Sequence, residues 1–168
     1  MDLELDLEIV TLHSQDLVLS IFESSPSYFM RVDGCLPTIA TVEDAILGRP
    51  SSPSLNYQKE FLIIREEGRA IGTVELHHHH PTAQVSYIGL LLIREDLSGR
   101  GLGKICYVEL EKYLRQRHRI KAVRLGVSDE NDVSGFWSKL GFKSNGRSYT
   151  WEGERRSSNV VEYEKAIS

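Results

Sequence analysis

The segment Leu91-Leu-Ile-Arg-Glu-Asp-Leu-Ser-Gly-Arg-Gly-Leu-Gly-Lys104 constrains what this chain can fold into more than any other. The run Ile88–Ile93 just before it is almost wholly apolar, as expected of a central strand covered on both faces. A turn with Gly99, Gly101 and Gly103 follows, and a helical pattern begins at once. Without side-chain bulk, successive backbone N–H groups can converge on one anion. The helix N-terminus adds unpaired donors and the positive end of its dipole. A tight turn needs only one glycine, so three at alternate positions point to a pyrophosphate cradle. A Walker loop fails here, because Ser98 and Ile105 stand where glycine and Ser or Thr are required. A dinucleotide fingerprint starting at Gly99 fails at Lys104, where its third glycine belongs.

The flanking patterns predict a mixed α/β domain spanning residues 1–168, with a mostly antiparallel central sheet flanked by helices. Leu7–Leu12 reads as a strand, and Asp16 as the cap of a helix through Leu17, Leu19 and Ile21. Ser24–Pro37 reads as an irregular loop or a broken helix. Thr41-Val-Glu-Asp44 resembles a capping box before a short helix stopped by Gly48, and Arg49–Asn56 is a serine- and proline-rich surface loop. Phe61–Ile64 and Ala70–Leu76 form a hairpin, His77–Thr82 a turn, and Gln84–Ile93 the longer strand. After the glycine turn, Ile105, Val108, Leu110 and Leu114 supply an apolar helical stripe that ends in the basic run Arg115–Arg119. Val123–Val127 is a strand, Val133–Leu140 a short helix stopped by Gly141, and Phe142–Trp151 and Val160–Lys165 two closing strands.

A net charge of −4 argues against broad nucleic-acid binding, which needs a strongly basic surface. Two cysteines, Cys35 and Cys106, make no disulfide scaffold and suit a reducing interior. The acid–leucine alternation at the N-terminus is no signal peptide, and the longest apolar run is too short for a bilayer. These features predict a cytoplasmic protein without membrane or nucleic-acid partners; its oligomeric state stays open, a homodimer included.

The glycine turn resembles the signature of the GNAT superfamily of N-acetyltransferases: Gln or Arg, two residues, Gly, one residue, then Gly or Ala. It aligns with Ser98-Gly-Arg-Gly-Leu-Gly103, whose small positions fall on Gly101 and Gly103. Ser98 departs from the pattern and replaces a long polar side chain by a hydroxyl, leaving the backbone donors intact. A second stretch, Asn131-Asp-Val-Ser-Gly-Phe-Trp-Ser-Lys-Leu-Gly-Phe142, is similar to the family's later motif. The likeness covers Ile9 to Lys165 and is strongest over Ala70–Phe142.

The resemblance implies an acyltransferase that moves the acetyl group of acetyl-coenzyme A to a primary amine, on a small molecule or a peptide, by direct attack. The cosubstrate would be held by Leu91, Leu92 and Ile93, by the turn residues Ser98, Gly99, Arg100, Gly101, Leu102, Gly103 and Lys104, and by Asn131 and Trp137. Its pantetheine arm would lie along Leu91–Ile93 like an added strand, with a backbone N–H near Leu91 polarising the thioester. No enzyme nucleophile is required, so Cys106 reads as a small core residue. Glu75, on the hairpin strand beside the proposed central strand, is the candidate base for the amine, with a solvated strand carboxylate as the equal alternative. The family's tyrosine acid aligns with Trp137, whose indole N–H is no usable acid, so either another group such as Tyr87 or Tyr28 substitutes or the thiolate leaves unassisted. The least regular region, Ser24–Asn56, would wall the acceptor site. No metal ligand set is expected, because side chains of His77–His80 alternate across a strand end and do not converge; a solvent-facing turn is the favoured reading, with contact to the acceptor as the lesser one. The rival to an enzyme is a regulatory coenzyme A-binding module with little turnover, favoured by Ser98 and Trp137.

Overall fold

A computed structural model describes residues 3–168. Its seven strands are β1 (Leu5–Ile9), β2 (Gln58–Glu66), β3 (Arg69–His78), β4 (Val85–Ile93), β5 (Ala122–Ser128), β6 (Lys143–Glu152) and β7 (Ser157–Ala166). They form one sheet in the order β1-β2-β3-β4-β5-β7-β6. Every neighbouring pair is antiparallel except β4 and β5. The apolar strand β4 thus lies at the centre of the sheet, as its composition predicts.

Five helices cover the sheet: α1 (Gln15–Glu23), α2 (Pro26–Val32), α3 (Ile39–Leu47), α4 (Leu102–His118) and α5 (Ser134–Lys139). Strand alternation divides the core between them. Leu62, Val74, Leu76 and Ile88 meet Tyr107, Leu110 and Leu114 of α4 on one face. Phe61, Ile63, Ala70 and Leu92 meet Val18, Phe22, Phe29, Val42 and Ile46 of the N-terminal helices on the other. No helix among the described residues is long and apolar enough to cross a membrane.

Several local expectations move. The first strand ends at Ile9, and Leu12–Ser14 is a 3-10 turn leading into α1, so Ser14 stands at the N-cap while Asp16 sits in the first turn. Ser24–Pro37 does contain a broken helix: Pro26 occupies the first turn of α2, where its missing N–H costs nothing. Helix α3 starts earlier than its sequence suggests, because Thr38 is extended and forms the reciprocal box with Thr41. The Thr38 N–H donates to Thr41 Oγ1 at 3.0 Å. In α4 the buried stripe is Leu102, Cys106, Leu110 and Leu114, at strict four-residue spacing. Val108 is 42% exposed, since the helix begins at Leu102 and the phase of the stripe is set from there. Each buried leucine of that stripe contributes about 2 kcal/mol of transfer free energy. Finally, His77 and His78 extend β3 instead of forming a turn.

Candidate active site

The site grows from the way β4 and β5 part. Their parallel pairing covers only Val85–Ile88 against Ala122–Leu125, and the remainder of β4 has β3 as its single partner. The Arg94 N–H donates to the Ile71 carbonyl on β3 at 2.9 Å. Alternation therefore turns the N–H groups of Leu91 and Ile93 the other way, into the gap. The Ile93 carbonyl, pointing the same way, accepts from Ser25 Oγ at 3.4 Å. An open strand edge of this kind can accept one more extended chain.

This edge leads straight into the glycine turn. Gly99 and Gly101 have φ of 79° and 72°, and a Cβ on either would meet no atom within 4 Å. They supply the left-handed backbone that the turn demands. Gly101 is also the N-cap of α4. Among the described residues, the backbone N–H groups of Gly99 through Lys104 have no protein acceptor, and the first to find one is Ile105, which bonds Gly101. Six consecutive free donors at the start of a 17-residue helix are an arrangement to which an anion can bind. Gly103 serves differently: its φ is ordinary, but a Cβ there would lie 3.2 Å from the Phe136 ring on α5. A groove of about 460 Å³ runs from Leu91–Ile93 past Ser98 and Gly103 to Phe136 and Trp137.

A second, larger cleft of about 1190 Å³ adjoins that groove, and Tyr28, Asn131 and Val133 line both. Residues of α2, α3 and the loop to Ser51 form one wall of this cleft. Glu75 lies at the floor. Opposite it, the β3–β4 register slips so that Gly89 is left unpaired as a bulge, and a Cβ on Gly89 would sit 2.9 Å from the Glu75 carboxyl carbon. Strand parity thus puts Glu75 on the cleft face, with Val74 and Leu76 turned into the core under α4. Its Oε1 accepts from Lys59 Nζ at 2.5 Å and from His77 Nε2 at 3.0 Å. Tyr57 Oη in turn meets His77 Nδ1 at 2.7 Å. Burial pulls the Lys59 ammonium below the ordinary lysine range, against the opposing pull of Glu75. The result is a half-buried carboxylate held rigidly at the point where β4 changes from paired to open.

A search among curated proteins finds no sequence match. The model of the acetyltransferase (GNAT) family matches residues 29–142. The chain belongs to this family. Among solved structures, an acetyltransferase from Thermus thermophilus superposes with a TM-score of 0.74 at 26% identity, covering 98% of each chain. The spermidine N-acetyltransferase from Vibrio cholerae, in complex with CoA and spermine, gives 0.71 at 13% identity over 97% of this chain and 95% of that one. The ribosomal-protein-S18-alanine N-acetyltransferase from Escherichia coli gives 0.64 at 14% identity over 98% and 95%.

In this acetyltransferase the other expected residues fall in different places. Trp137 is 6% exposed and packs edge-on against Tyr107, Phe136 and Phe142 as part of the core, with one edge on the groove. Asn131 does not cap α5, whose first turn is held by Asp132 through Ser134. Its Oδ1 instead accepts from Arg31 Nε at 3.1 Å, joining α2 to the loop across the mouth. Tyr87 lies in the larger cleft, and its hydroxyl shares a 2.8 Å hydrogen bond with Tyr149. Burial, then Tyr149, pushes the Tyr87 phenol far above its ordinary range, which makes it a poor acid. Tyr28 is also raised by burial, but it alone of the two reaches the groove beside Leu91. Cys106 is fully buried, and burial pushes its thiol up to about 12, consistent with a core role.

The histidine run departs from the expected solvent-facing turn. His77 reaches into the cleft, His78 is wholly buried on the opposite face, and His80 returns to the cleft with its ring centroid 6.0 Å from that of His77. His79 has a φ of 55°, which breaks the strand alternation and lets His80 turn back. Sequence reasoning missed Lys59, Ser25 and Tyr149. A signal existed for Lys59: it shares strand parity with Phe61 and Ile63, so the buried face of β2 claims it. Tyr149 carried none, because its place against Tyr87 depends on Gly126, where a Cβ would lie 2.7 Å from the Tyr149 hydroxyl.

Proposed function

We propose that this acetyltransferase holds acetyl-coenzyme A along Leu91–Ile93 and the turn Ser98–Lys104, and delivers its acetyl group to a primary amine seated over Glu75. The observation that carries this reading is continuity. Outward-facing N–H groups of Leu91 and Ile93 run into six free donors at the α4 N-terminus, and the opposite end of that line meets Glu75 at the Gly89 bulge. The thioester supplies the activated acetyl group. Leu91 N–H sits where negative charge on the thioester oxygen would be met by a fixed donor. The loop donors take the pyrophosphate, with Arg100 and Lys104 adding positive charge nearby.

The amine must shed a proton to attack. Gly89 leaves room in front of the carboxylate, whose two oxygens lie 3.1 and 3.2 Å from the site of a Cβ there, and both bonds go to Oε1, which leaves Oε2 without a partner among the described residues. That oxygen draws in the ammonium form and accepts its proton, directly or through a water. Tyr28, at the junction of groove and cleft, donates a hydrogen bond to the departing sulfur; its raised pKa suits a donor better than an acid. Atoms balance without an enzyme nucleophile: the ammonium gives one proton to Glu75, the nitrogen gains the acetyl carbon as the carbon–sulfur bond breaks, and the second amine proton ends on the departing sulfur, so that amide, free thiol and one proton are the products.

Calorimetry with acetyl-coenzyme A tests the binding half. Gly101→Val places a branched side chain at φ 72°, and affinity should fall at least about tenfold, or about 1.4 kcal/mol. Unchanged affinity sinks the cradle assignment. Release of free thiol with a panel of amines tests the transfer half, and tight binding without turnover on any amine would favour the regulatory module.

A further inference from the structure

The face of the sheet turned away from the cleft carries a polar cluster that acetyl transfer does not use. Glu60 on β2, His78 on β3 and His118 in the last turn of α4 each bring one ligand-type atom to the same place, all three within 4.8 Å of one another. His78 Nε2 lies 3.3 Å and His118 Nε2 3.4 Å from Glu60 Oε1. In a tetrahedral zinc site with bonds of about 2.0–2.1 Å, neighbouring ligand atoms stand about 3.4 Å apart. The two measured distances match two edges of that polyhedron, both meeting at Glu60 Oε1. Two imidazoles and a carboxylate are also the donor set of a borderline divalent cation, with a further position left for water.

The surroundings are built rather than incidental. His78 is fully buried, and its Nδ1 is 2.6 Å from Ser86 Oγ on β4, which fixes the ring from behind and leaves Nε2 facing the cluster. Tyr113 Oη donates to Glu60 Oε1 at 2.6 Å and lies 3.4 Å from His118 Nε2, orienting the carboxylate. The side chains of Glu60 and His118 are 11% and 13% exposed, which gives an entry path from solvent. One adjustment is required. The His78 and His118 rings stack with centroids 3.9 Å apart and 16° between planes, so their in-plane lone pairs run nearly parallel. An ion shared by both nitrogens must open that stack. His118, at the end of α4, is the ring that has to swing, since His78 is wholly buried and held at Nδ1 by Ser86.

We infer that Glu60, His78 and His118 form a binding site for a divalent transition cation of the zinc type, clasping β2 and β3 to the C-terminal end of α4. The helix whose N-terminus cradles the anion is then pinned at its other end by a metal. The inference stands on this cluster alone and does not depend on the acetyl-transfer reading. It also changes the account of the histidine run: one of the four histidines meets ligand-type atoms from two other elements.

Calorimetric titration of the EDTA-treated full chain with zinc chloride should show one saturable equivalent at this site. Cobalt chloride should give the intense visible band of a low-coordinate Co²⁺ ion. His118→Gln should weaken zinc more than 100-fold, and Ser86→Ala, which touches only the back of His78, by about 10–100-fold. The His118 ring protons should lose their stacking shift on zinc addition in NMR spectra. Thermal melts in EDTA establish that each variant folds; if His118→Gln does not, Glu60→Gln keeps the side-chain shape and should lose zinc equally. Absence of a saturable equivalent overturns the inference. So does zinc affinity that survives His118→Gln or Glu60→Gln, or that vanishes in His77→Gln/His80→Gln, which removes the two cleft histidines instead.

Discussion

Replacing Glu75 by glutamine probes the base and the fold together, and the structure allows the two effects to be separated. Lys59 is 6% exposed and holds Glu75 Oε1 at 2.5 Å, with the Gly48 carbonyl as its other acceptor at 2.8 Å. The variant leaves that ammonium buried beside a neutral amide. Breaking a buried pair by removing one partner costs about 3–5 kcal/mol, and the residual 17% exposure of Glu75 puts the expected loss near the low end. The pH dependence has a definite sign. Burial already holds Lys59 below its ordinary range, and without Glu75 it falls further. The deficit is therefore fully present below the folded-state pKa of Lys59 and shrinks as pH rises through it, where the neutral amine forms. Lys59→Met/Glu75→Gln removes both charges and should recover most of the stability. Turnover should not recover: kcat/KM falls about 100-fold at neutral pH in both variants, a barrier increase of about 2.7 kcal/mol. The activity defect also narrows at higher pH, because more of the acceptor is already deprotonated. Urea melts at neutral and alkaline pH and thiol-release kinetics over the same range supply the measurements. A stable double variant with unaltered kcat/KM and pH–rate profile would refute the role given to the carboxylate.

Three further outcomes follow from local packing. Trp137→Phe should retain most turnover, since the indole serves by packing, whereas Trp137→Ala should cost about 3–5 kcal/mol in a denaturant melt through the cavity it leaves; a collapse of kcat in the stable phenylalanine variant would show that the indole N–H matters. Gly103→Val should weaken acetyl-coenzyme A binding by displacing Phe136, which lies 3.2 Å from the first added carbon, and the same displacement should register as altered tryptophan fluorescence. Cys106, fully buried and with its thiol pushed up to about 12, should resist iodoacetamide at neutral pH in the folded protein and react only on unfolding.

The sequence by itself determined the features whose demands are local. Three glycines between an apolar run and a helical stripe can be read as an anion cradle because positive φ and free N–H groups belong to neighbouring residues; Gly99 and Gly101 adopt that backbone. The central position of β4 followed from apolar residues at consecutive positions, and the parity of β3 put Glu75 and Val74 on opposite faces. What only the tertiary structure decided is which distant residues meet. Which face of β3 borders the cleft depends on where α1–α3 pack. Lys59 reaches Glu75 across 16 positions and Arg31 reaches Asn131 across 100. The parting of β4 from β5 is a matter of sheet twist and pairing that neither strand encodes alone. His78 makes the point most sharply. Judged within its run it alternates away from its neighbours and suggests no ligand set, yet the register of β2 and the length of α4 bring Glu60 and His118 to its Nε2. Backbone preferences act over a few residues, whereas side-chain convergence is set by the packing of the whole sheet.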